Sequence, residues 1–152
     1  LLQNNNSINH HTITSNWKDT GTPEDIINAN RNILEKMTPY NFGKCEEGSE
    51  IEGSVMIGKN VLIKKGAKII GPVIIGNDTV VEEGSFIGPN TSIGNNSKLS
   101  KCNIKNSIVM SDCVISSKLK IRDSIISSNA TITESNEEEK IFLLGEGTKI
   151  KI

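Results

Sequence analysis

Few residues in this 152-residue chain have the type and spacing that chemistry requires. Its two histidines, His10 and His11, are adjacent. Neighbouring residues of a strand point to opposite faces, so the pair does not share one ion and reads as loop. The three cysteines, Cys45, Cys102 and Cys113, are odd in number and lack metal-ligand spacing, and they read as reduced thiols. Between residues 51 and 152 there is neither His nor Tyr, so an imidazole general base is missing from that stretch. What the stretch offers is cations. Lys65 and Lys68 could hold an anion, as could the cluster Lys118, Lys120 and Arg122, although alternate residues on a strand surface are most simply solvated. The sequon Asn90-Thr91-Ser92 follows from Asn- and Ser-rich corners, and no basic-then-apolar leader is seen that would give it meaning.

The charge balance narrows the partners. Lys plus Arg total 17 and Asp plus Glu total 18. A net charge near zero disfavours a nucleic-acid or anionic-membrane partner recognised by bulk charge. No apolar run approaches the roughly 20 residues of a membrane span, so a cytoplasmic protein is expected. Aromatics are scarce, and Ile and Val accompany abundant Asn, Ser and Gly. That mixture suits many short strands joined by tight turns.

Residues 1–37 read as mixed α/β. Leu1 to Asn6 resembles a helix end, and Ile8 to Thr14 suits a short strand with Ile13 inward. A helix start follows: Thr22 is the N-cap, Pro23 the first helical residue, and Glu24 and Asp25 fill the positive first turn. Ile26, Ile27, Asn30, Ile33, Leu34 and Met37 recur at helical spacing, and Pro39 ends the helix near Met37. Residues 38–50 carry Pro, Gly and charges without periodicity and read as a linker.

From Ile51 every sixth residue is aliphatic: Ile51, Ile57, Ile63, Ile69, Ile75, Val81, Ile87, Ile93 and Leu99. Gly follows at 58, 76, 88 and 94, and a small or β-branched residue stands four after each aliphatic. A period of six matches neither a helix nor a flat strand. It matches short strands with a corner every six residues, three sides closing a triangle of 18 residues. Asn60, Asp78 and Asn96 lie 18 apart, and Asn and Asp tolerate a left-handed corner. Lys65, Glu83 and Lys101 should form one ladder of alternating sign, with Lys64 against Glu82 in another. After Leu99 the period shortens to 17, aligning Ile104 with Ile121, Ile108 with Ile125 and Ile115 with Ile132. The expectation is a mainly β fold: a parallel β-helix of about five coils over 51–140, about 24 Å tall at ~4.8 Å per coil. The run at 137–140 breaks the pattern, and residues 141–152 alternate around Gly145-Glu146-Gly147 as a capping hairpin.

This repeat resembles the hexapeptide family of left-handed parallel β-helices, and the hand is taken from that resemblance. The segment Trp17-Lys18-Asp19-Thr20-Gly21-Thr22-Pro23-Glu24-Asp25 resembles the W-x-D-T-G-x-P-E-D segment of sugar-1-phosphate nucleotidyltransferases. Ile26-Ile27-Asn28-Ala29-Asn30-Arg31 is similar to their L-x-x-A-N-R helix, and Ile141 to Thr148 to the end of long-form glucose-1-phosphate thymidylyltransferases. The resemblance implies an enzyme that joins a sugar 1-phosphate to a nucleoside triphosphate and releases pyrophosphate. Two aspartates of such enzymes hold Mg²⁺, and Asp19 falls at the second of them. The first aspartate and the Gly-rich phosphate loop have no counterpart here. The chain is therefore expected to be the C-terminal part of a longer enzyme, with no complete catalytic set of its own and a missing N-terminal nucleotidyltransferase part as partner. Flat β-helix sides of this family often pack around a threefold axis, so a homotrimer is expected. The rival reading is a hexapeptide acetyl- or acyltransferase acting on an amino-sugar phosphate, which would need a base that residues 51–152 lack. A γ-class carbonic anhydrase would need three His on zinc.

Overall fold

The computed structural model describes residues 21–118 and 120–133. The expected elements at 1–6, 8–14 and 141–152, the run at 137–140, and His10, His11 and Asp19 lie outside the described residues. The helix forms where the capping signals placed it. Helix α1 spans Pro23–Leu34, with Thr22 as N-cap and its hydroxyl oxygen accepting from Asp25 N at 3.2 Å. It ends about one turn before Met37, with Glu35 as C-cap.

Among the described residues seventeen short strands follow, in three parallel sheets. Face A holds Tyr40–Asn41, Val55–Ile57, Val73–Ile75, Thr91–Ile93, Ile108–Val109 and Ile125–Ile126. Face B holds Lys44–Cys45, Leu62–Ile63, Val80–Val81, Lys98–Ser100, Val114–Ser116 and Thr131–Thr133. Face C holds Glu50–Glu52, Lys68–Ile70, Phe86–Ile87, Asn103–Lys105 and Lys120–Arg122. The result is a β-solenoid of about five turns with one short helix among the described residues, the architecture of a left-handed β-helix.

The register of six is the register of the core. Ile57, Ile75 and Ile93 stack in face A, and Ile63, Val81 and Leu99 in face B, all within 2% of complete burial. The 17-residue pairings hold as well: Ile104 lies beside Ile121, Ile108 beside Ile125 and Ile115 beside Ile132. Ile51 is the exception at 37% exposed, because it stands in the first coil with no coil beneath it. Buried hydroxyls close their own hydrogen bonds within the stack. Thr79 Oγ1 donates to Gly94 O at 2.9 Å and accepts from Ser97 N at 3.2 Å, and Ser97 Oγ in turn accepts from Cys113 N at 3.1 Å.

Corners form where Asn and Asp predicted them: φ is 56° at Asn60, 57° at Asp78 and 55° at Asn96. Beside them runs a column of glycines with a steric cause. A Cβ on Gly76 would lie 2.5 Å from Asn95 Oδ1 and 2.7 Å from Asn95 N, in the next coil. That room is taken by an amide ladder, in which Asn77 Oδ1 accepts from Lys59 N and Asn95 Oδ1 accepts from Asn77 N, each at 2.8 Å.

One boundary needs correction. Residues 38–50, expected as a linker, belong to the solenoid. Tyr40–Asn41 pairs with Met56–Ile57, and Lys44–Cys45 pairs with Leu62–Ile63. The first coil escapes the pattern because Asn41 and Cys45 stand where later coils carry aliphatics.

Charge is layered along the axis. Counting coils from each face A strand, residues 38–54 carry one Lys and four Glu, 55–72 four Lys, 73–90 one Asp and two Glu, and 91–107 three Lys. The net charges of these four alternate accordingly as −3, +4, −3 and +3, and residues 108–124, with two Lys, one Arg and two Asp, end the alternation at +1. Each ion pair among the described residues joins adjacent layers of opposite sign: Lys68 with Glu50 at 2.6 Å and Glu52 at 3.3 Å, and Glu82 with Lys64 at 2.6 Å and Lys98 at 3.5 Å. The expected ladder of Lys65, Glu83 and Lys101 forms no such pair among the described residues.

Candidate functional site

The outer surfaces differ in chemistry, and α1 decides what is left free. In face A the outward column runs Met56, Ile74, Ser92, Ile108 and Ile125, unusually apolar for a solvent face. Helix α1 packs there. Ile27 and Leu34, seven residues apart, are 5% and 1% exposed, whereas Ile33 is 60% exposed. Pro23 and Ile27 lie beside Ser124 and Ile125, while Asn30 and Arg31 reach earlier coils. The helix therefore descends the prism from the fifth coil towards the first. Its length of about 18 Å matches four strand spacings.

A polar latch fixes it. Asn30 Nδ2 donates to Asn90 O at 3.2 Å, and Ser92 Oγ donates to Asn30 Oδ1 at 2.5 Å. Arg31 Nη2 donates to Asn106 Oδ1 at 3.0 Å, and Asn106 Nδ2 donates to Asp123 Oδ1. Asn90, Asn106 and Asp123 are corner residues of successive coils with φ of 62°, 46° and 48°. Beside the latch, between the start of α1 and the fifth coil, lies a groove of about 280 Å³. Ile27 and Ile125 form its apolar floor, and Glu24, Asn28, Arg31 and Asp123 its polar wall. Arg31 lines the groove, and its Nε is buried with no acceptor.

The cations singled out from sequence do not converge. Lys68 is engaged by Glu50 and Glu52, which hold its ammonium pKa above the usual lysine value. Lys65 contributes its backbone N–H to Glu46, not its ammonium. Lys120 and Arg122 stand on face C with Lys118 exposed before them, and Arg122 lies in register with Lys105, whose Nζ sits 4.7 Å over the Phe86 ring. The three cysteines are free thiols. Burial pushes the Cys102 and Cys113 thiols up, away from the reactive thiolate. No group of three or more His, Cys, Asp and Glu that could hold a metal exists among the described residues. No helix among them is long and apolar enough to cross a membrane. The groove itself went unforeseen. Its signal lay in the polar pair Asn30-Arg31, set amid apolar helix positions, and in three Asn or Asp corners at spacings of 16 and 17.

The sequence profile of the GMPPB C-terminal domain matches residues 69–152, over half of the chain. The chain belongs to that family. Two curated proteins are similar to it. The low-salt glycan biosynthesis nucleotidyltransferase Agl11 of Haloferax volcanii is 32% identical over 60 residues, 40% of this chain and 17% of that protein. A glucose-1-phosphate thymidylyltransferase of Streptomyces antibioticus is 32% identical over 63 residues, 41% of this chain and 18% of that protein. The chain thus spans less than a fifth of either relative in these alignments. Membership also gives the solenoid its expected kinship, since the profile begins at Ile69, inside the second coil, and runs through the later coils.

Proposed function

We propose that this chain is the β-helix and junction part of a sugar-1-phosphate nucleotidyltransferase. In that reaction a phosphate oxygen of the sugar 1-phosphate attacks the α-phosphorus of a nucleoside triphosphate such as dTTP, and pyrophosphate leaves. The observation that carries the reading is family membership together with two relatives, one named a nucleotidyltransferase and the other a glucose-1-phosphate thymidylyltransferase. Mg²⁺ in the parent would neutralise the phosphates, and Asp19 would supply one of its carboxylates. The described residues do not fit that ion, since no acidic or histidine cluster stands among them. In this reading the chain on its own is an assembly module without turnover, working in the cytoplasm beside an N-terminal catalytic half.

Assembly would use face B. Face A is covered by α1 and face C carries the charges of Glu50, Glu52, Lys105, Lys120 and Arg122. The outward column of face B runs Lys44, Leu62, Val80, Lys98, Val114 and Thr131, three aliphatics interrupted by Lys98, with Val114 40% exposed. A homotrimer through the solenoid follows from this reading. Pyrophosphate release is measured with glucose 1-phosphate, dTTP and Mg²⁺, and no turnover is expected. Turnover that disappears in Asp19→Ala would show the chain to be catalytically complete. Coding sequence before Leu1 should hold a Gly-rich phosphate loop, and its absence there would sink the nucleotidyl-transfer reading. Light scattering should give three times the 16.5 kDa of one chain, and a monomer would refute the trimer.

A further inference from the structure

We propose that the groove between α1 and the fifth coil is a binding site for a neutral polyhydroxylated ligand, a monosaccharide in chemical class. The inference stands on the groove's own side chains and does not depend on nucleotidyl transfer. One cation and two carboxylates, Arg31, Glu24 and Asp123, line the same 280 Å³ space, and no ion pair joins Arg31 to either carboxylate. A guanidinium with five N–H donors engages a single acceptor, Asn106 Oδ1, and its Nε–H has none. A buried donor left in that state is costly, and native structures generally supply it a partner.

The chemistry of the wall selects among ligands. A phosphate or carboxylate would meet Arg31 favourably but would face Glu24 and Asp123 as like charges. A metal or ammonium ion would suit the carboxylates but be repelled by Arg31. A sugar hydroxyl does both jobs, accepting from the guanidinium through its oxygen and donating its proton to a carboxylate. Asn28 adds an amide that can do either. The floor of Ile27 and Ile125 offers an apolar surface to the C–H face of a ring. The volume lies at the small end of ligand pockets and suits one ring rather than two.

The test uses the full chain, ¹⁵N-labelled, with D-glucose as probe and D-glucose 1-phosphate and inorganic phosphate as comparison arms. Glucose should shift the Asn28 and Ser124 amides and the Arg31 Nε–H resonance saturably, with a dissociation constant of about 1–10 mM, as expected for a twelve-atom ligand at modest efficiency. Glucose 1-phosphate should bind no tighter than glucose, and phosphate should not shift the Nε–H. Glu24→Gln, an exposed change on the first turn of α1 outside the latch, should weaken glucose binding several-fold with an otherwise native spectrum. Arg31→Lys should abolish it. Tighter binding of either phosphate arm overturns the neutral-ligand assignment. Absence of saturable groove shifts with glucose, or equal affinity in Glu24→Gln, overturns the site. None of these outcomes depends on turnover, so the nucleotidyl-transfer reading stands or falls separately.

Discussion

Ile75 lies midway in the face A stack, with Ile57 and Ile93 one coil away on either side, and it has no exposed surface. Truncating it to Ala removes three buried carbons, about 2.4 kcal/mol of transfer free energy at ~0.8 per methylene. A cavity that its neighbours on both sides cannot fill adds to this, giving roughly 3–4 kcal/mol in all. That is a large part of a domain's margin of about 5–15 kcal/mol. At about 3 °C per kcal/mol for a chain of this size, the melting midpoint should fall by about 10 °C. Ile51→Ala is the matched control. It occupies an equivalent repeat position but is already 37% exposed in the first coil, so its loss should cost about 1 kcal/mol. Thermal melting by circular dichroism reads both. Equal destabilisation of the two variants would refute the assignment of Ile75 to the middle of a closed stack, and with it the six-residue register.

Cys45 is half-buried while Cys102 and Cys113 are buried with thiols shifted upward, so a disulfide reagent should titrate one thiol quickly and two only on unfolding; three fast thiols would contradict the burial. Hydrogen bonding from Lys64, then the charge of Lys98, holds the Glu82 carboxyl below its usual range. A lowered folded pKa contributes stability above the unfolded value of about 4.3, and that stability is lost as pH falls through the folded value. Glu82→Gln should therefore melt lower than wild type at pH 7, by about 1 kcal/mol or less, and match it near pH 2; a gap that persists at pH 2 would exclude the ion pairs as its source. The solenoid should not acetylate glucosamine 1-phosphate with acetyl-CoA, since residues 51–152 hold no His or Tyr; a turnover of several per second would mean another residue serves as base.

Legibility in the sequence followed repetition. Ile69, Ile87 and Ile104 announce an inward column because the same residue type returns in each coil, and a β-helix has one environment per repeat position. Asn60 and Asp78 announce corners for a local reason, their tolerance of positive φ. The first coil was illegible because it shares the backbone path of the others without their side chains: Cys45 stands opposite Ile63. The helix position was illegible for another reason. Ile74, Ile108 and Ile125 alternate with the core column and carry no label saying that an outside helix covers them. Helical period alone spread six residues across one stripe, whereas docking uses the narrower i, i+7 pair Ile27 and Leu34 and leaves Ile33 in solvent. The groove depends on two elements about 90 residues apart in sequence meeting at one corner, which no local pattern contains.

The alternating charge of the layers bears on how such a chain can lengthen or shorten in evolution. Deleting residues 73–90 would close the backbone register perfectly well, since they amount to one turn. It would also bring a layer of +4 onto a layer of +3, and strip Lys64 and Lys98 of the carboxylate they share. Deleting residues 55–90 removes opposite charges together and leaves a layer of −3 on a layer of +3. Across the first four coils, length therefore changes without charge conflict by the pair of turns 55–90, although the unit of folding is one. Relatives that lack the turn equivalent to 73–90 should carry rewritten charges at the positions of Lys64 or Lys98.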